Sequence, residues 1–141
     1  MLARALTVEK LCPEVEGEDG VNRFLGIWAK NCAEWLISLF ASMKVGATCV
    51  GFFDAMGDQT ANSIAKTTEM TTIIGTKDYM LRVLDMKLEG LFTSVTTFIS
   101  MDGGVANYIE SAESVNLKLL DFDSLLKETE KKKDKVEMEE I

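Results

Sequence analysis

Four short apolar segments recur at nearly constant intervals along the 141-residue chain, and their spacing constrains the fold more than any other feature. Their first residues lie 24, 24 and 23 positions apart. Each segment is apolar on successive residues and is bounded by Gly, Asn or Asp, which is typical of parallel strands covered on both faces. The predicted strands are Phe24–Ala29, Thr48–Phe53, Thr72–Gly75 and Val95–Met101. The intervals leave room for one crossover helix between successive strands.

The segment Cys32–Val45 has the clearest helical pattern. Asn31 is predicted to cap its first turn, with Glu34 completing a box-like start, and Gly46 is placed to end it. One apolar stripe runs along the helix and is predicted to face the core. The stripe consists of Cys32, Trp35, Leu36, Leu39, Phe40 and Met43. On this interpretation Cys32 is an inert buried thiol and Trp35 is a core residue, although a cysteine at a helix N-terminus also has the option of a reactive role.

The remaining segments complete the predicted organisation. We expect a helix over Met1–Leu11, an acidic turn over Cys12–Gly20, helices over Asp58–Thr68 and Asp78–Glu89, a loop over Asp102–Asn116, a short strand at Leu117–Leu120, and a last helix capped by Asp121 or Asp123. The fold class is therefore α/β, a parallel doubly wound sheet of about four βα units. Residues 1–126 form the predicted domain unit. Residues 127–141, eleven of them charged, are predicted to form a charged helical tail or linker with a Glu128–Lys132 pair.

Composition excludes several classes of function. The chain has no histidine, which removes histidine general bases and histidine metal ligands. Its net charge of −8 argues against binding to a nucleic-acid backbone. The three cysteines form no C-x-x-C motif and suit a reducing compartment. The longest segment without charge has twelve residues, short of a membrane span, so we expect an intracellular protein, cytoplasmic or peripheral on a membrane.

Ligands of doubly wound sheets usually bind at the carboxyl ends of the strands. The sequence there has neither a G-x-G-x-x-G nor a G-x-x-x-x-G-K-[ST] motif, and it lacks the phosphate loop of a flavodoxin and the acidic pair of a receiver domain. Asp54 follows the second strand; its predicted role is to cap the next helix or hold a turn, with binding of a metal or a ribose as the alternative. Gly103-Gly104 is predicted to be a turn. We therefore assign no catalytic, cofactor-binding or metal-binding residue.

Several spaced segments nevertheless share the register of one family. The run Arg23–Leu36 resembles a hydrophobic strand followed by N-x-x-E-W, and Lys44–Ala47 comes next. Val50–Gly57 resembles a P-L-Y-D-T-L-G segment, and Glu69–Ile74 is similar to the entry to the following strand. These segments are similar to the early part of the large N-terminal domain of long-chain fatty-acid–CoA ligases, of the AMP-forming adenylating superfamily. The resemblance covers about Met1–Lys127.

The resemblance implies a full-length enzyme that uses Mg-ATP to activate a fatty acid as an acyl-adenylate and then transfers it to coenzyme A. Gly51 replaces the usual Pro of the family and Phe53 replaces Tyr. The Ser/Thr/Gly-rich phosphate loop and the catalytic Lys of the family have no counterpart in these residues. The residues that match family motifs are assigned scaffold roles of capping, core anchoring and turn formation. They are Asn31, Glu34, Trp35, Asp54 and Gly57.

Three hypotheses follow from these observations. The first is a fragment of an acyl-CoA ligase that is inactive by itself. The second is a non-catalytic α/β interaction or structural module of the same origin, with self-association or a partner chain at an exposed sheet edge. The third is an unrelated flavodoxin-like domain that binds a small ligand.

Overall fold

A five-stranded parallel sheet forms the centre of the protein. The structure, a computed structural model, describes residues 1–132. The sheet consists of β3 (Phe24–Trp28), β4 (Thr48–Phe52), β5 (Thr72–Gly75), β6 (Thr97–Ser100) and β7 (Lys118–Asp121). Their spatial order is β4-β3-β5-β6-β7, so the chain reverses direction across the sheet between β3 and β5. The predicted α/β doubly wound sheet is confirmed, and Leu117–Leu120 supplies its fifth strand.

Helices cover both faces of the sheet. One face carries α1 (Leu2–Val8), α2 (Ala33–Lys44) and α6 (Phe122–Lys131), which enclose one apolar cluster with side chains such as Leu25, Ile74 and Ile99. The opposite face carries α3 (Asp58–Thr68), α4 (Lys77–Leu88) and α5 (Ile109–Ser114), which pack on a second cluster. Helix α1 contacts both α2 and α6, so α2 is the outermost helix of its layer, above β3 and β4.

Three predicted segments differ from the structure. The predicted turn Cys12–Gly20 contains β1 (Val15–Gly17), which pairs antiparallel with β2 (Gly20–Asn22). Glu18 and Asp19 connect the two strands, and Gly20, the first residue of β2, adopts φ +112°. The predicted loop Asp102–Asn116 contains a short 3-10 helix and α5. The strand predicted from Val95 begins at Thr97, because Val95 donates to the Phe92 carbonyl in a turn.

The orientation of α2 corrects the prediction made from its apolar stripe. Small residues, Ser38, Ala41 and Ser42, are its buried positions. The hydroxyls of Ser38 and Ser42 donate to the Glu34 and Leu39 carbonyls at 2.6 and 2.7 Å, so both are satisfied within the helix. The large apolar side chains point away from the sheet instead. Leu36, Ile37, Phe40 and Met43 are 50%, 45%, 58% and 64% exposed.

The beginning of α2 also differs from the prediction. Cys32, not Asn31, is the N-cap residue, and within residues 1–132 no side chain caps this end. The prediction of a buried Cys32 thiol is wrong: the residue is exposed, and its Sγ lies 3.9 Å from Met101 Sδ. Cys12 is buried, and that burial raises the pKa of its thiol to about 11 although Arg23 opposes the shift.

The end of the described chain follows the prediction in part. Asp121 caps α6, and its Oδ2 accepts a hydrogen bond from Ser124 N at 3.0 Å, which confirms one of the two predicted caps. Lys132 Nζ lies 3.2 Å from Oε1 of Glu9, the C-cap residue of α1, rather than pairing with Glu128. Helix α6 continues across the predicted boundary at residue 126, and positions 133–141 of the predicted tail lie outside the described residues. Between residues 1 and 132, no helix has the length and apolar character needed to cross a membrane.

Candidate functional site

The carboxyl edge of the sheet, where β3 and β5 run side by side, is the place where a doubly wound fold usually holds a ligand. Gly75 ends β5 in close contact with β3. A Cβ at this position would lie 2.2 Å from the Trp28 carbonyl oxygen, so only glycine fits without moving the backbone. The absence of a side chain lets the two strands end together, and the residues that follow them share one edge.

A stack of aromatic rings lies beneath this edge. The fully buried Trp28 ring lies between Phe52 and Tyr79, with ring centroids 5.0 and 5.1 Å apart and interplanar angles of 23° and 18°. Phe92 meets Trp28 edge-on at 6.3 Å. Trp28 Nε1 has no hydrogen-bond partner within residues 1–132. The stack ties β3, β4 and α4 together, since offset aromatic pairs add to the free energy gained by burial.

Arg82 on α4 covers this stack. Its guanidinium carbon lies 4.6 Å from the Trp28 ring centroid, a cation–π contact. Its Nε donates to Asp58 Oδ1 at 2.7 Å, and its Nη2 donates to the Met56 carbonyl. The cation is thus held in place by the first turn of α3 and the segment before it, and its charge is already engaged.

Tyr79 joins α4 to the end of β4. Its hydroxyl donates to Asp54 Oδ1 at 2.5 Å, while its ring is buried in the stack. Burial, followed by the hydrogen bond to Asp54 and the charge of that carboxylate, raises the pKa of Tyr79 to about 12. Asp54 therefore acts as an acceptor for a phenol. It does not cap α3, because Gly57 holds the N-cap position of that helix.

The N-terminus of α4 carries a carboxylate of the chain itself. Asp102, from the turn after β6, accepts a hydrogen bond from Lys77 N at 2.7 Å. Gly103 and Gly104 form this turn with φ of +74° and +73°, as predicted for the glycine pair, and Ser100 Oγ donates to the Gly103 carbonyl at 2.6 Å. The backbone N–H of Lys77, one of the groups that would bind an anion at a helix N-terminus, is therefore already occupied.

Two neighbouring cavities open at this edge, of about 270 and 290 Å³. Both are lined by Lys30, Asp54 and Tyr79. The first is also lined by Thr76, Asp78, Arg82 and Asp102. The second is also lined by Ala29, Asn31, Trp35, Gly51, Phe52 and Phe53. Carboxylates outnumber cations in the first cavity, and most of its charged groups already have partners within the protein. These contacts hold the neighbouring helices and strand ends together.

The residues that match the family motifs do not all lie in one place. Asn31, Trp35 and Asp54 share the larger cavity, while Gly57 lies apart at the start of α3. Glu34 occupies the first turn of α2 and is half-buried. Trp35 packs at the edge of the apolar cluster and is half-buried rather than enclosed.

Three residues that organise this edge were not predicted from the sequence, namely Tyr79, Arg82 and Asp102. Tyr79 and Arg82 are three positions apart on α4, so they lie on one face of the helix. Asp102 follows β6 almost directly, at a place where polar side chains meet other strand ends. Position relative to the strand ends was the available signal, because no motif marks these residues.

Comparison with known families decides which group of proteins this chain belongs to. The family described as "AMP-binding enzyme" matches it over residues 18–140. The chain belongs to the AMP-binding enzyme family. The adenylating superfamily inferred from the spaced segments is thereby confirmed, whereas the narrower assignment to long-chain fatty-acid–CoA ligases is not shown by this match. A search of curated proteins gives no match to this family member.

Solved structures of adenylation domains share the fold of this AMP-binding family member. The adenylation domain of a carboxylate reductase from Mycobacterium chelonae has a TM-score of 0.67 at 15% identity and is matched over 91% of this chain and 20% of its own. The A domain of a carboxylic acid reductase from Segniliparus rugosus, in complex with AMP and a co-purified carboxylic acid, has a TM-score of 0.66 at 15% identity, covering 91% and 22%. An A-PCP didomain from the same organism, in complex with AMP, has a TM-score of 0.66 at 16% identity, covering 91% and 19%. The chain thus spans about a fifth of the length of these structures.

Proposed function

We propose that the chain is the early part of the large N-terminal domain of a long-chain fatty-acid–CoA ligase. The complete reaction would convert a fatty acid, ATP and CoA to acyl-CoA, AMP and pyrophosphate. One observation carries this proposal. The N-x-x-E-W run from Asn31 to Trp35 leads into α2, and the segment ending at Gly57 leads from β4 into α3. Each segment therefore follows a strand and leads into a helix, and this regular placement supports the proposal.

The role of this part is to build a scaffold. The described edge does not fit a nucleoside triphosphate with its magnesium ion. The backbone N–H of Lys77 already donates to Asp102, and the guanidinium of Arg82 already donates to Asp58. Asp54 and Asp78 add further negative charge beside the one remaining cation, Lys30. We therefore assign the binding of Mg-ATP and CoA to residues other than these, and we expect no acyl-adenylate from the 141 residues alone. We place the protein inside the cell, in the cytoplasm or on a membrane surface.

A segment exchange tests the assignment to ligases. Residues 18–127 would replace the corresponding segment of a long-chain fatty-acid–CoA ligase and, in parallel, that of the carboxylic acid reductase A domain. We expect acyl-CoA formation from palmitate in the first host and no adenylation in the second. Activity only in the reductase host contradicts the ligase assignment. Cooperative thermal unfolding of both hybrids is the control, since it separates a misfolded hybrid from an inactive one.

A direct assay tests the scaffold role. The 141-residue chain is incubated with palmitate, Mg-ATP and labelled pyrophosphate, beside an intact ligase as positive control. We expect no exchange of pyrophosphate into ATP above background. Exchange that depends on both palmitate and enzyme concentration overturns the scaffold role.

The second candidate function is a non-catalytic interaction module derived from the same family. The observation in its favour is the outward apolar face of α2, which the described residues leave uncovered. A module of this kind would associate through its surface without any dependence on ATP or acid.

A further inference from the structure

The two outer strands of the sheet, β4 and β7, differ in how their edges are protected. Strand β4 has the sequence Thr-Cys-Val-Gly-Phe, without a charge or a proline, whereas β7 begins with Lys118 and ends with Asp121. Edge strands are usually protected by charged side chains, especially lysine, because their unpaired N–H and C=O groups otherwise pair with another strand. Within residues 1–132, no strand pairs with the outer side of β4 or of β7. The composition of the two strands therefore protects the β7 edge and leaves the β4 edge open to a further strand.

The connections between the parallel strands all have the same hand. Those through α3, α4 and α5, on one face of the sheet, each lead towards β7, and the one through α2, on the opposite face, leads from β3 to β4. Nearly all connections between parallel strands of one sheet share a single hand. Helix α6 follows β7 and lies on the same face as α2. A parallel strand that follows α6 is therefore expected on the β4 side of β7, where the outer edge of β4 is the open position among the described strands.

We infer that the outer edge of β4 receives a sixth parallel strand, supplied by polypeptide that follows α6 in the complete ligase. This inference rests on the proposed function, in which the chain is the early part of a larger domain. Two independent observations carry it. One is the composition of the two edges, and the other is the face of the sheet on which each helix lies.

Exposed apolar side chains near β4 agree with this placement. Phe53 directly follows β4 and is 63% exposed. Phe40 lies on α2, the helix that contacts β4, and is 58% exposed. Large exposed apolar groups of this kind mark surfaces that other polypeptide covers. A sixth strand, together with the residues on either side of it, would bring such polypeptide to this side of the sheet.

Amide hydrogen exchange, followed by mass spectrometry, tests the inference on the 141-residue chain and on the ligase hybrid that carries residues 18–127. The amides of β4 that exchange fastest in the chain should exchange at least about tenfold more slowly in the hybrid, while those of β7 keep their rates. Protection of β3, β5 and β6 in both proteins is the control for folding. Protection gained at β7 and not at β4 overturns the inference, and so does a folded hybrid in which neither edge gains protection.

A tethered strand tests the choice of edge even where the hybrid does not fold. The full chain is extended by a Gly/Ser linker of about 20 residues, which spans about 25 Å on average, and then by the strand Thr-Val-Thr-Val-Thr. We expect slower exchange in β4 and unchanged exchange in β7. The matched control carries Thr-Val-Pro-Val-Thr, because proline interrupts strand pairing, and it should leave β4 as in the parent chain.

Slower exchange in β7 instead of β4, or at neither edge, overturns the inference for the tethered chain as well. These readouts are separate from catalysis. A hybrid that protects β4 but forms no acyl-CoA from palmitate contradicts the proposed function alone, whereas an active hybrid with an unprotected β4 edge contradicts the inference alone.

Discussion

The phenol of Tyr79 and the carboxylate of Asp54 are joined by a hydrogen bond of 2.5 Å, which fastens α4 to the turn after β4. The ring is buried in the aromatic stack while the carboxylate is exposed. Removing the phenol oxygen leaves Asp54 free to be hydrated, so the loss is that of one hydrogen bond to a charged group. We expect Tyr79→Phe to lower the free energy of unfolding by about 1–3 kcal/mol.

Urea unfolding followed by circular dichroism measures this change. Tyr108→Phe is the matched control, because it removes the only other phenol of the chain from a half-buried position. Equal losses in the two variants would show that the Asp54 contact contributes nothing of its own.

The raised pKa of Tyr79 predicts a dependence of stability on pH. The pKa is about 12 in the folded chain, against 10.0 for the unperturbed group. Above pH 10 the unfolded chain loses this proton while the folded chain keeps it. Ionisation therefore stabilises the unfolded state relative to the folded state. The contribution is fully present below pH 10 and is lost as pH rises towards 12.

A comparison of Tyr79→Phe with the parent chain over this alkaline range isolates the effect. The parent should lose stability more steeply than the variant, and its absorbance at the wavelength of tyrosinate should rise late for one of its two tyrosines. Parallel stability curves for the two proteins would contradict the assignment.

Gly75 predicts a severe effect of a single methyl group. Alanine at this position would bring its Cβ to 2.2 Å from the Trp28 carbonyl oxygen, and backbone on both strands would have to move. We expect Gly75→Ala to destabilise the chain by about 3 kcal/mol. Gly57→Ala is the matched control, because a Cβ there meets nothing within 4 Å and φ is −71°. Thermal unfolding of the two variants side by side is the measurement, and similar midpoints would contradict the prediction.

The cap of α6 predicts a smaller effect. Asp121 Oδ2 accepts from Ser124 N at 3.0 Å, so Asp121→Ala leaves a backbone donor without its partner and should cost about 1 kcal/mol. Asp121→Asn retains an acceptor oxygen and should keep most of that stability. Chemical denaturation distinguishes the two variants, and an asparagine variant as unstable as the alanine one would argue against a capping role.

The strands and most helices could be predicted because their signals are local. The helix Asp58–Thr68 and the strand Thr72–Gly75 have the predicted limits, and Asp121 is one of two predicted caps. The stripe on α2 was equally visible, but periodicity gives the direction of an apolar face without saying what lies there. Serine is a polar residue, so the sequence did not predict that Ser38 and Ser42 would be buried on the opposite face. Their burial is possible because both hydroxyls donate to carbonyls within the helix.

The candidate site was less predictable, because it depends on contacts between distant positions. Asp54 and Tyr79 are twenty-five residues apart, and so are Lys77 and Asp102. Sequence shows which polar residues follow strands, and the order of the strands in space then decides which of them meet. Cys32 rather than Asn31 is the N-cap residue of α2, although asparagine is the residue that capping preferences favour.

The two tryptophans of the chain occupy contrasting surroundings, and this gives the protein a pair of optical reporters. Trp28 is sealed among aromatic rings and a guanidinium, so its fluorescence should be blue-shifted and insensitive to quenchers in solution. Trp35, half-buried at the start of α2, should remain accessible to them. A titration with a fluorescence quencher can therefore follow the protein interior and helix α2 separately. It can also show whether a change in the exposure of α2 is accompanied by a change around Trp28, on the opposite face of the sheet.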